Sequence, residues 1–467
     1  MPILALSKAD LVMRLDNIVD EKQGIDGEFV VNLDMAFYMP TDQFPAPARA
    51  SAILPLSHTN ATVFSIPKPA TVMVQLPEST SSAFVEIYAS GSAEEEYTNL
   101  LDEGKEILTQ NAPKSSVNAR GPFREVQLWI DDKLAGVAYP FPVVFTGGIL
   151  LSWWRPISAY GSFDQPTYTI DITPFLPILT DSKKHNFTLT VEGQGPDRST
   201  NPQWFVSGNI AIALDPSGKR TTGKILKYTN DGFVRPSGDV CQSGFFSSVD
   251  AQRKISITST IVTGKGENFE ITCTQDFQFQ NKQLSETTGA SQSLTQLATG
   301  SSSSQIGTVN TFFDQFSFPF SHGLKGDIGI GYNRAFRPAY YNGIPTSIQA
   351  NQTATGNLLL GESGRATGGI STTGQTISYS DARGETYQRD VLVTNVTTVL
   401  KDVLSGSLAN QELSTRPNQF IAQSRQLYSK PVNKSEGHKK RETLISRSEP
   451  MRLPSGLMVD RTREWQN

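Results

Sequence analysis

Acidic, arginine and tryptophan residues are concentrated between Gly121 and Asp171, where they interrupt short segments of alternating polar and apolar residues. This stretch contains Arg124, Glu125, Trp129, Trp153, Trp154, Arg155 and Asp164. Flat aromatic rings stack on sugar faces, and planar guanidinium and carboxylate groups pair with hydroxyls. These are the residue types of a carbohydrate site, although composition alone favours a β-sandwich core with ordinary charged turns.

A second acidic group precedes this stretch, where Glu94, Glu95 and Glu96 stand together in the segment EEEYTN. A hydrolase acting on a linkage to a sugar can use one carboxylate to activate water and a second group to protonate or polarise the leaving side. An adjacent arginine keeps one carboxylate ionised, while crowding among acids raises the pKa of another. Taken singly, each of these acids is more often a turn residue or half of a surface ion pair.

Other chemistries lack their residue patterns. None of the four histidines stands in a GxSxG or HExxH context, and Thr146-Gly147-Gly148 is more simply a turn than a phosphate cradle. Cys241 and Cys273 cannot form a structural zinc site by themselves. A disulfide and two free thiols both remain open for this pair. The sequence therefore predicts no metal and no cofactor.

The elements that must position these residues read as β-strands. Val126, Leu128 and Ile130 alternate with polar residues, and the same pattern recurs through residues 121–215, as antiparallel sheets with one wet face require. Strands of this length separated by turns predict a sandwich or jelly roll. A further β-rich region begins near residue 250, and its low-complexity segment 282–310 is expected to be a long loop or a frayed hairpin. A short helix is predicted around residues 11–19.

Composition supports a β-rich chain of several domains. The 467 residues include 37 Gly and 27 Pro, and the net charge of −4 gives no bulk attraction to nucleic acid. Residues 415–467 hold 11 basic and 5 acidic side chains without apolar periodicity. This favours a solvated, disordered end over a polyanion contact or a nuclear address. No signal peptide or membrane-spanning stretch is visible, so membrane contact is not evident, and the oligomeric state stays open.

Six motifs resemble one known family. GPFREV, the Asp131-Asp132-Lys133 turn before GVAYPFPVVFTGG, WRPI, GSFDQPTY, DITPFLP and HNFTLTVEG occur in this order between residues 121 and 193. The run resembles the peptide:N-glycosidase A (glycoamidase A) family of plants and fungi, with weaker similarity back to Thr62 and forward to Asn395. The resemblance implies paired β-sandwich or jelly-roll modules and no metal. It also implies hydrolysis of the amide bond between N-acetylglucosamine and asparagine in N-linked glycopeptides or glycoproteins, in a secreted, vacuolar or secretory-pathway setting.

The resemblance also implies roles for residues that fall on matching motifs. Asp164 or one of Glu94, Glu95 and Glu96 is expected to activate water, with Glu125 as its partner carboxylate. Arg124 and Arg155 are expected to orient or polarise the substrate. Trp153, Trp154, Trp204 and Tyr97 are candidates for substrate binding, although core packing is as good an account of each tryptophan. All the charged groups are expected to converge on one cleft.

Two departures from the family pattern matter. The segment EEEYTN has fewer aromatics than expected after the acids, which weakens sugar stacking there. Residues 8–37 resemble the end of the family's first sandwich, so we expect an N-terminally truncated version of it.

The sequence thus predicts an all-β protein of tandem β-sandwich or jelly-roll modules, the first incomplete. The segments are a remnant of the first sandwich (1–50), a central jelly roll with the candidate site (51–220), a C-terminal β-rich domain (221–410) and a basic, disordered tail (411–467). The first functional hypothesis is a glycoamidase. The alternatives are a non-catalytic carbohydrate-binding or cell-surface β-sandwich protein and, more weakly, a purely structural one.

Overall fold

A computed structural model describes most of the chain between residues 50 and 409. The described residues are 20, 22, 24, 50–58, 63–68, 70–96, 99–111, 118–145, 148, 150–163, 165–241, 244–287, 291–304, 309–321, 325–337, 344–360, 366–409, 451–452 and 458–459. The predicted helix around residues 11–19, almost all of the first-sandwich remnant, Tyr97, Asp164 and nearly all of the basic tail lie outside them.

Two antiparallel sheets form a jelly roll between residues 52 and 214. Its strands are β1 (Ala52–Pro55), β2 (Phe64–Ile66), β3 (Ala70–Val74), β4 (Thr80–Gly91), β5 (Glu125–Ile130), β6 (Lys133–Ala138), β7 (Tyr168–Asp171), β8 (His185–Glu192) and β9 (Trp204–Leu214). One sheet has the order β1-β9-β4-β7 with β2 also paired to β9, and the other has the order β3-β8-β5-β6. Leaving β2 aside, this is the strand order of a jelly roll. Helices α1 (Asp102–Asn111) and α2 (Leu176–Leu179) lie in the connections.

A ten-stranded antiparallel sheet follows, in which each strand pairs with the next along the chain. Its strands are β10 (Thr222–Cys241), β11 (Gly244–Val262), β12 (Asn268–Glu286), β13 (Ser291–Ser304), β14 (Val309–Ser321), β15 (Lys325–Arg337), β16 (Thr346–Leu360), β17 (Ala366–Asp381), β18 (Thr386–Thr394) and β19 (Thr398–Ser405). We call it the long sheet. A two-stranded pairing of β20 (Met451–Arg452) with β21 (Met458–Val459) lies within the predicted tail.

The all-β prediction is confirmed. Of the two alternatives expected for residues 282–310, the structure shows a hairpin rather than a long loop. β12 continues to Glu286, and β13 occupies most of the remainder. The segment is polar but its burial alternates, with Leu294, Gln296 and Ala298 buried on one face of β13. Polar residues can fill a buried strand face when their amides bond to each other, and Asn281 donates to Gln296 across the two strands.

One hydrophobic core joins the jelly roll to the first strands of the long sheet. It contains Val85, Val126 and Ile212 from the jelly roll together with Val249 and Ile257 from β11. The predicted boundary near residue 220 matches the change from one sheet system to the other, but the core crosses it, and the division into domains stays a prediction.

The cysteines and the helices also bear on the sequence predictions. Neither Cys241 nor Cys273 is in a disulfide. Within the part of the chain that the structure describes, no helix has the length and apolar character needed to cross a bilayer.

Candidate active site

Glu95 is a buried carboxylate that ties three segments of the jelly roll together. Arg124 donates to it twice, from Nε to Oε2 at 2.5 Å and from Nη2 to Oε1 at 2.8 Å. The indole Nε1 of Trp204 donates to Oε2 at 2.5 Å, and the backbone N–H of Asn201 donates to Oε1 at 2.8 Å. Because every partner is a donor, the side chain is bound as an ionised carboxylate whose lone pairs are occupied. Glu95 is therefore an anchor rather than a base free to take a proton from water.

The GPFREV motif holds the other half of this ion pair. Nη1 of Arg124 donates to the carbonyl oxygens of Arg120, Gly121 and Phe123 at 3.1, 2.8 and 2.7 Å. The chain curls around the guanidinium through Gly121, whose φ of +64° is readily adopted by glycine. The two bonds to Glu95 and the three bonds to backbone carbonyls together fix the orientation of the Arg124 guanidinium.

The turn that carries Glu95 follows the end of β4 and depends on Gly91. A Cβ at Gly91 would lie 2.2 Å from the carbonyl oxygen of Glu95 and 3.1 Å from Cζ2 of Trp204, so no larger residue fits. Ala93 in the same turn has φ +52°, a left-handed conformation that costs a non-glycine residue about 1–2 kcal/mol. Hydrogen bonds to Glu95 from Arg124, Trp204 and the backbone of Asn201 tie this turn to two other segments.

A cleft of about 650 Å³, its open mouth included, lies beside this anchor. Its lining comes from the turn after β4, from the segment that follows β6 and from β12 and β13 of the long sheet. The polar members are Ser90, Glu95, Glu96, Arg124, Gln165 and Gln296, and the aromatic members are Tyr139, Phe141, Phe145, Trp204 and Phe279. A concave site with a few convergent polar groups among aromatic rings is the usual form of a small-ligand site.

Glu96 is the carboxylate of the cleft wall that is left available. It is half-buried, and its Oε1 accepts one bond, from the backbone N–H of Ala93 at 3.3 Å. It forms no ion pair with any other residue that the structure describes. Glu94, by contrast, is exposed and does not line the cleft.

Glu125 does not join the cleft, contrary to the expected convergence. Neighbouring residues of an extended chain point to opposite sides, so Arg124 and Glu125 cannot serve the same site. Glu125 faces the long sheet, where Arg253 of β11 donates to it at 2.7 and 3.0 Å and Gln127 donates at 2.7 Å. Burial alone lowers the pKa of Arg253, but hydrogen bonding to Glu125 raises it overall, so the buried guanidinium stays charged.

Arg155 and the tryptophans beside it also lie elsewhere. Arg155 is exposed and outside the cleft lining. Trp153 and Trp154 are 0% and 2% exposed and pack in a second core cluster with residues of the long sheet, among them Ile330 and Ala354. A sugar platform needs an open ring face, and neither indole offers one here. Trp204 does line the cleft, where its indole also holds Glu95.

Asp164 and Tyr97 lie outside the described residues, so their roles stay predictions. Gln165, the covalent neighbour of Asp164, lines the cleft and donates from Nε2 to the Ser90 hydroxyl at 3.0 Å.

The sequence interpretation missed several cleft residues. Phe145 is a half-buried ring in the cleft, and the aromatic segment YPFPVVF was its signal. Tyr139 lies in the same segment, and its hydroxyl is buried without a partner among the described residues. Burial raises the pKa of Tyr139, so it remains a neutral phenol and a donor. Gln296 had no signal, because it stands in the segment read as low complexity.

No cluster of metal-binding side chains occurs within the described ranges. What the arrangement can do is hold a polar ligand between a half-buried carboxylate, two glutamine amides and several aromatic rings.

Comparison with known proteins gives two family matches. A family described as peptide N-acetyl-beta-D-glucosaminyl asparaginase amidase A matches residues 1–231, and the PNGase_A C-terminal domain matches residues 247–320. A curated relative, peptide-N4-(N-acetyl-beta-glucosaminyl)asparagine amidase A of Prunus dulcis, is 35% identical over 216 residues, which are 45% of this chain and 35% of the relative. The match therefore spans about a third of that relative's length. No solved structure matches the chain at a significant level.

Proposed function

Because the chain belongs to the peptide N-acetyl-beta-D-glucosaminyl asparaginase amidase A family, we propose that it hydrolyses the amide bond between N-acetylglucosamine and asparagine in N-linked glycopeptides. The observation that carries the proposal is the cleft between the jelly roll and the long sheet. It combines an available carboxylate, Glu96, with amides and aromatic rings. These groups suit a substrate that is half sugar and half peptide amide.

The proposed reaction begins with water at the side-chain carbonyl carbon of the substrate asparagine. A carboxylate takes one proton as the water oxygen bonds to that carbon, which makes a tetrahedral intermediate. The carbon–nitrogen bond then breaks, and the nitrogen gains a proton and leaves as a glycosylamine. The peptide retains an aspartate. Two residues are candidates for the base, Glu96 on the cleft wall and Asp164, whose covalent neighbour Gln165 lines the same cleft.

Glu95, Arg124 and Trp204 have a different part in this proposal. Their mutual hydrogen bonds hold the turn that presents Glu96, so they position the reacting group without exchanging protons with the substrate. Such preorganisation matters because small displacements of a reacting group are costly in rate. Phe145 is the proposed sugar platform, because its ring is only half-buried at the cleft.

The test is release of glycan from a denatured N-glycopeptide at mildly acidic pH, with the peptide product weighed for conversion of asparagine to aspartate. We expect Glu96→Gln to lower the rate by about 10²–10⁴-fold if Glu96 is the base. Glu94→Gln, in the same turn but exposed, is the matched control and is expected to keep the wild-type rate.

The other outcomes are equally informative. Loss of release in Asp164→Asn but not in Glu96→Gln assigns the base to Asp164. Full release by both variants contradicts a carboxylate base in this cleft. Wild-type protein that binds the glycopeptide but leaves it intact supports the carbohydrate-binding alternative, which is favoured by the full occupation of Glu95 and Arg124 by each other and by backbone groups.

A secreted, vacuolar or secretory-pathway location belongs to the same proposal, because N-glycosylated substrates arise there. Sequons at Asn186, Asn351 and Asn395 stand at exposed positions and agree with it weakly.

A further inference from the structure

The wall that β12 and β13 contribute to the cleft consists of two side-chain pairs, one polar and one apolar. Gln296 lies directly opposite Asn281, and Ala298 lies directly opposite Phe279. Gln296 and Ala298 are two residues apart on one strand, so their side chains share a face. Gln296, Ala298 and Phe279 all line the cleft.

The amide of Gln296 is fixed by its buried neighbour. Nδ2 of Asn281 donates to Oε1 of Gln296 at 3.0 Å, and Asn281 is 0% exposed. Nε2 of Gln296 has no partner among the described residues and stands at the cleft. The orientation follows from the cost of burial. The observed orientation uses one N–H of Asn281 and leaves its Oδ1 buried without a partner, whereas exchanging both amides would leave both N–H donors of Asn281 unpaired.

The apolar pair adjoins this amide on the same wall. Ala298 has a side chain of one methyl group, and its partner Phe279 is held edge-on against Phe123 and Tyr139, with ring centroids 5.3 and 6.2 Å away. These contacts hold the Phe279 ring in one place. The wall therefore combines an amide N–H donor with a small apolar surface made of a methyl group and a fixed aromatic ring.

We propose that Gln296, Ala298 and Phe279 form the subsite for the 2-acetamido group of the innermost N-acetylglucosamine. This rests on the proposed function, since that sugar adjoins the bond to be cut. An acetamido group is a carbonyl acceptor joined directly to a methyl group. Its oxygen accepts from Nε2 of Gln296, and its methyl group packs on Ala298 and Phe279. A hydroxyl on the same ring carbon occupies the place of the acetamido nitrogen and is too short to reach either Nε2 or the apolar pair, so Gln296 is a specificity-determining residue supplied by the long sheet.

The test compares two disaccharides with the same β-1,4 linkage, diacetylchitobiose and cellobiose, which differ in the acetamido groups. Binding to the full chain is measured by NMR titration. We expect wild-type protein to prefer diacetylchitobiose and Gln296→Leu to lose about three- to tenfold of that preference, the loss expected for one neutral hydrogen bond. Gln278→Leu, on the opposite, exposed face of β12, is the control and is expected to retain the preference.

Two further variants separate a local effect from misfolding. Asn281→Leu with Gln296→Leu removes both amides, which leaves no orphaned group and preserves stability better than the single change. Ala298→Leu enlarges the side chain on which the acetamido methyl group is proposed to pack and leaves the amide pair intact. Both are expected to reduce the preference for diacetylchitobiose.

Three results would overturn the subsite. They are equal binding of the two sugars by wild type, an unchanged preference in Gln296→Leu, and an unchanged preference in Ala298→Leu. These outcomes are distinct from failure of the proposed function, because binding is measured without turnover. Absence of glycan release by wild-type protein that still distinguishes the two sugars contradicts the glycoamidase reaction and retains the subsite.

Discussion

At the scale of single residues, the carboxylates in and near the site are of two kinds. Some are held in structural ion pairs, and one is available to contact a substrate. Glu95 and Glu125 are both about as buried as any charged group in the fold, and both have bidentate arginine partners. Glu96, the residue after Glu95, is only half-buried and has no arginine partner among the described residues. A rich set of partners marks a structural carboxylate, and the less connected neighbour is the better candidate for chemistry.

This division predicts a stability effect at Trp204. Trp204→Phe keeps most of the ring but removes the donor to the ionised Glu95, and hydrogen bonds to charged groups contribute about 1.5–3 kcal/mol. We expect Trp204→Phe to lower the free energy of unfolding by an amount in that range, as measured by urea denaturation.

Trp129→Phe is the matched control, because the indole of Trp129 donates to the neutral amide of Gln127 at 2.8 Å. Its loss is expected to be smaller, about 0.5–1.5 kcal/mol. Equal losses in the two variants would contradict the ionised anchor.

At the scale of elements, hydrogen bonds connect the polar strand β12 to the turn beside the site. Gln283 of β12 donates to the backbone carbonyl of Asn99 at 3.0 Å, and the Asn99 amide in turn donates to the carbonyl of Glu94 at 3.0 Å. The side-chain amides of Gln283 and Asn99 thus link the long sheet to the turn that carries Glu95 and Glu96. Segments rich in Ser, Thr and Gln are often disordered, and here cross-strand pairing and buried amide bonds decide otherwise.

A second element-level contact responds to pH. His185, at the start of β8, lies between Asp131 of the β5–β6 turn, 2.8 Å from Nδ1, and Asp181 of the preceding loop, 3.0 Å from Nε2. Burial alone lowers the pKa of His185, but hydrogen bonds to these two carboxylates raise it overall. The imidazolium form donates to both acids and so joins the hairpin turn to β8.

The expected outcome follows from the sign of that shift. Because the pKa of His185 is higher in the folded state, its protonation stabilises the fold. This stabilisation is complete below the pKa of histidine in the unfolded chain, about 6.5, and is lost as the pH rises through the pKa of His185 in the folded protein. The difference in unfolding free energy between wild type and His185→Gln is therefore expected to be larger at pH 5.5 than at pH 9. His58→Gln, an exposed histidine, is the control. An equal difference at both pH values would contradict the charged bridge.

At the scale of the whole molecule, the jelly roll and the long sheet form one packed structure. Residues of β11 and β12 complete the jelly-roll core, and the Glu125–Arg253 pair crosses the interface. Since β12 and β13 also line the cleft, the site exists only where the two sheet systems meet. This explains why an isolated jelly roll would carry only part of the proposed machinery.

The buried pair allows a direct test of this interface. Glu125→Leu leaves the Arg253 guanidinium buried without its carboxylate, at a cost of about 3–5 kcal/mol. Glu125→Leu combined with Arg253→Leu removes both charges and is expected to be markedly more stable than the single variant, as a double-mutant cycle of urea unfolding would show.

Activity provides the second readout of the same variants. Because Glu125 faces away from the cleft, the double variant is expected to retain glycopeptide release at a temperature where it is folded. A folded double variant without release would restore Glu125 as a participant in the reaction.

The sequence by itself determined the family, the all-β class and most strands of the jelly roll. Alternation at Val126, Leu128 and Ile130 marks the apolar face of β5, whose polar face is also buried, against the long sheet. The GPFREV motif folds locally around the Arg124 guanidinium. The family prediction is confirmed by the matches over residues 1–231 and 247–320. Of the residues predicted for the site, Glu95 and Arg124 meet at the cleft as an ion pair, and Trp204 lies beside them.

Only the tertiary structure decided which charged residues share a site. Arg124 immediately precedes β5 and Glu125 is its first residue, yet these neighbours project to opposite sides, so one meets Glu95 and the other Arg253. The position of Gln296 depends on pairing with Asn281 and on packing of the long sheet against the jelly roll, a relation between residues far apart in the chain. Periodicity and local motifs carry information about the face of a strand, whereas a cleft depends on which faces come together.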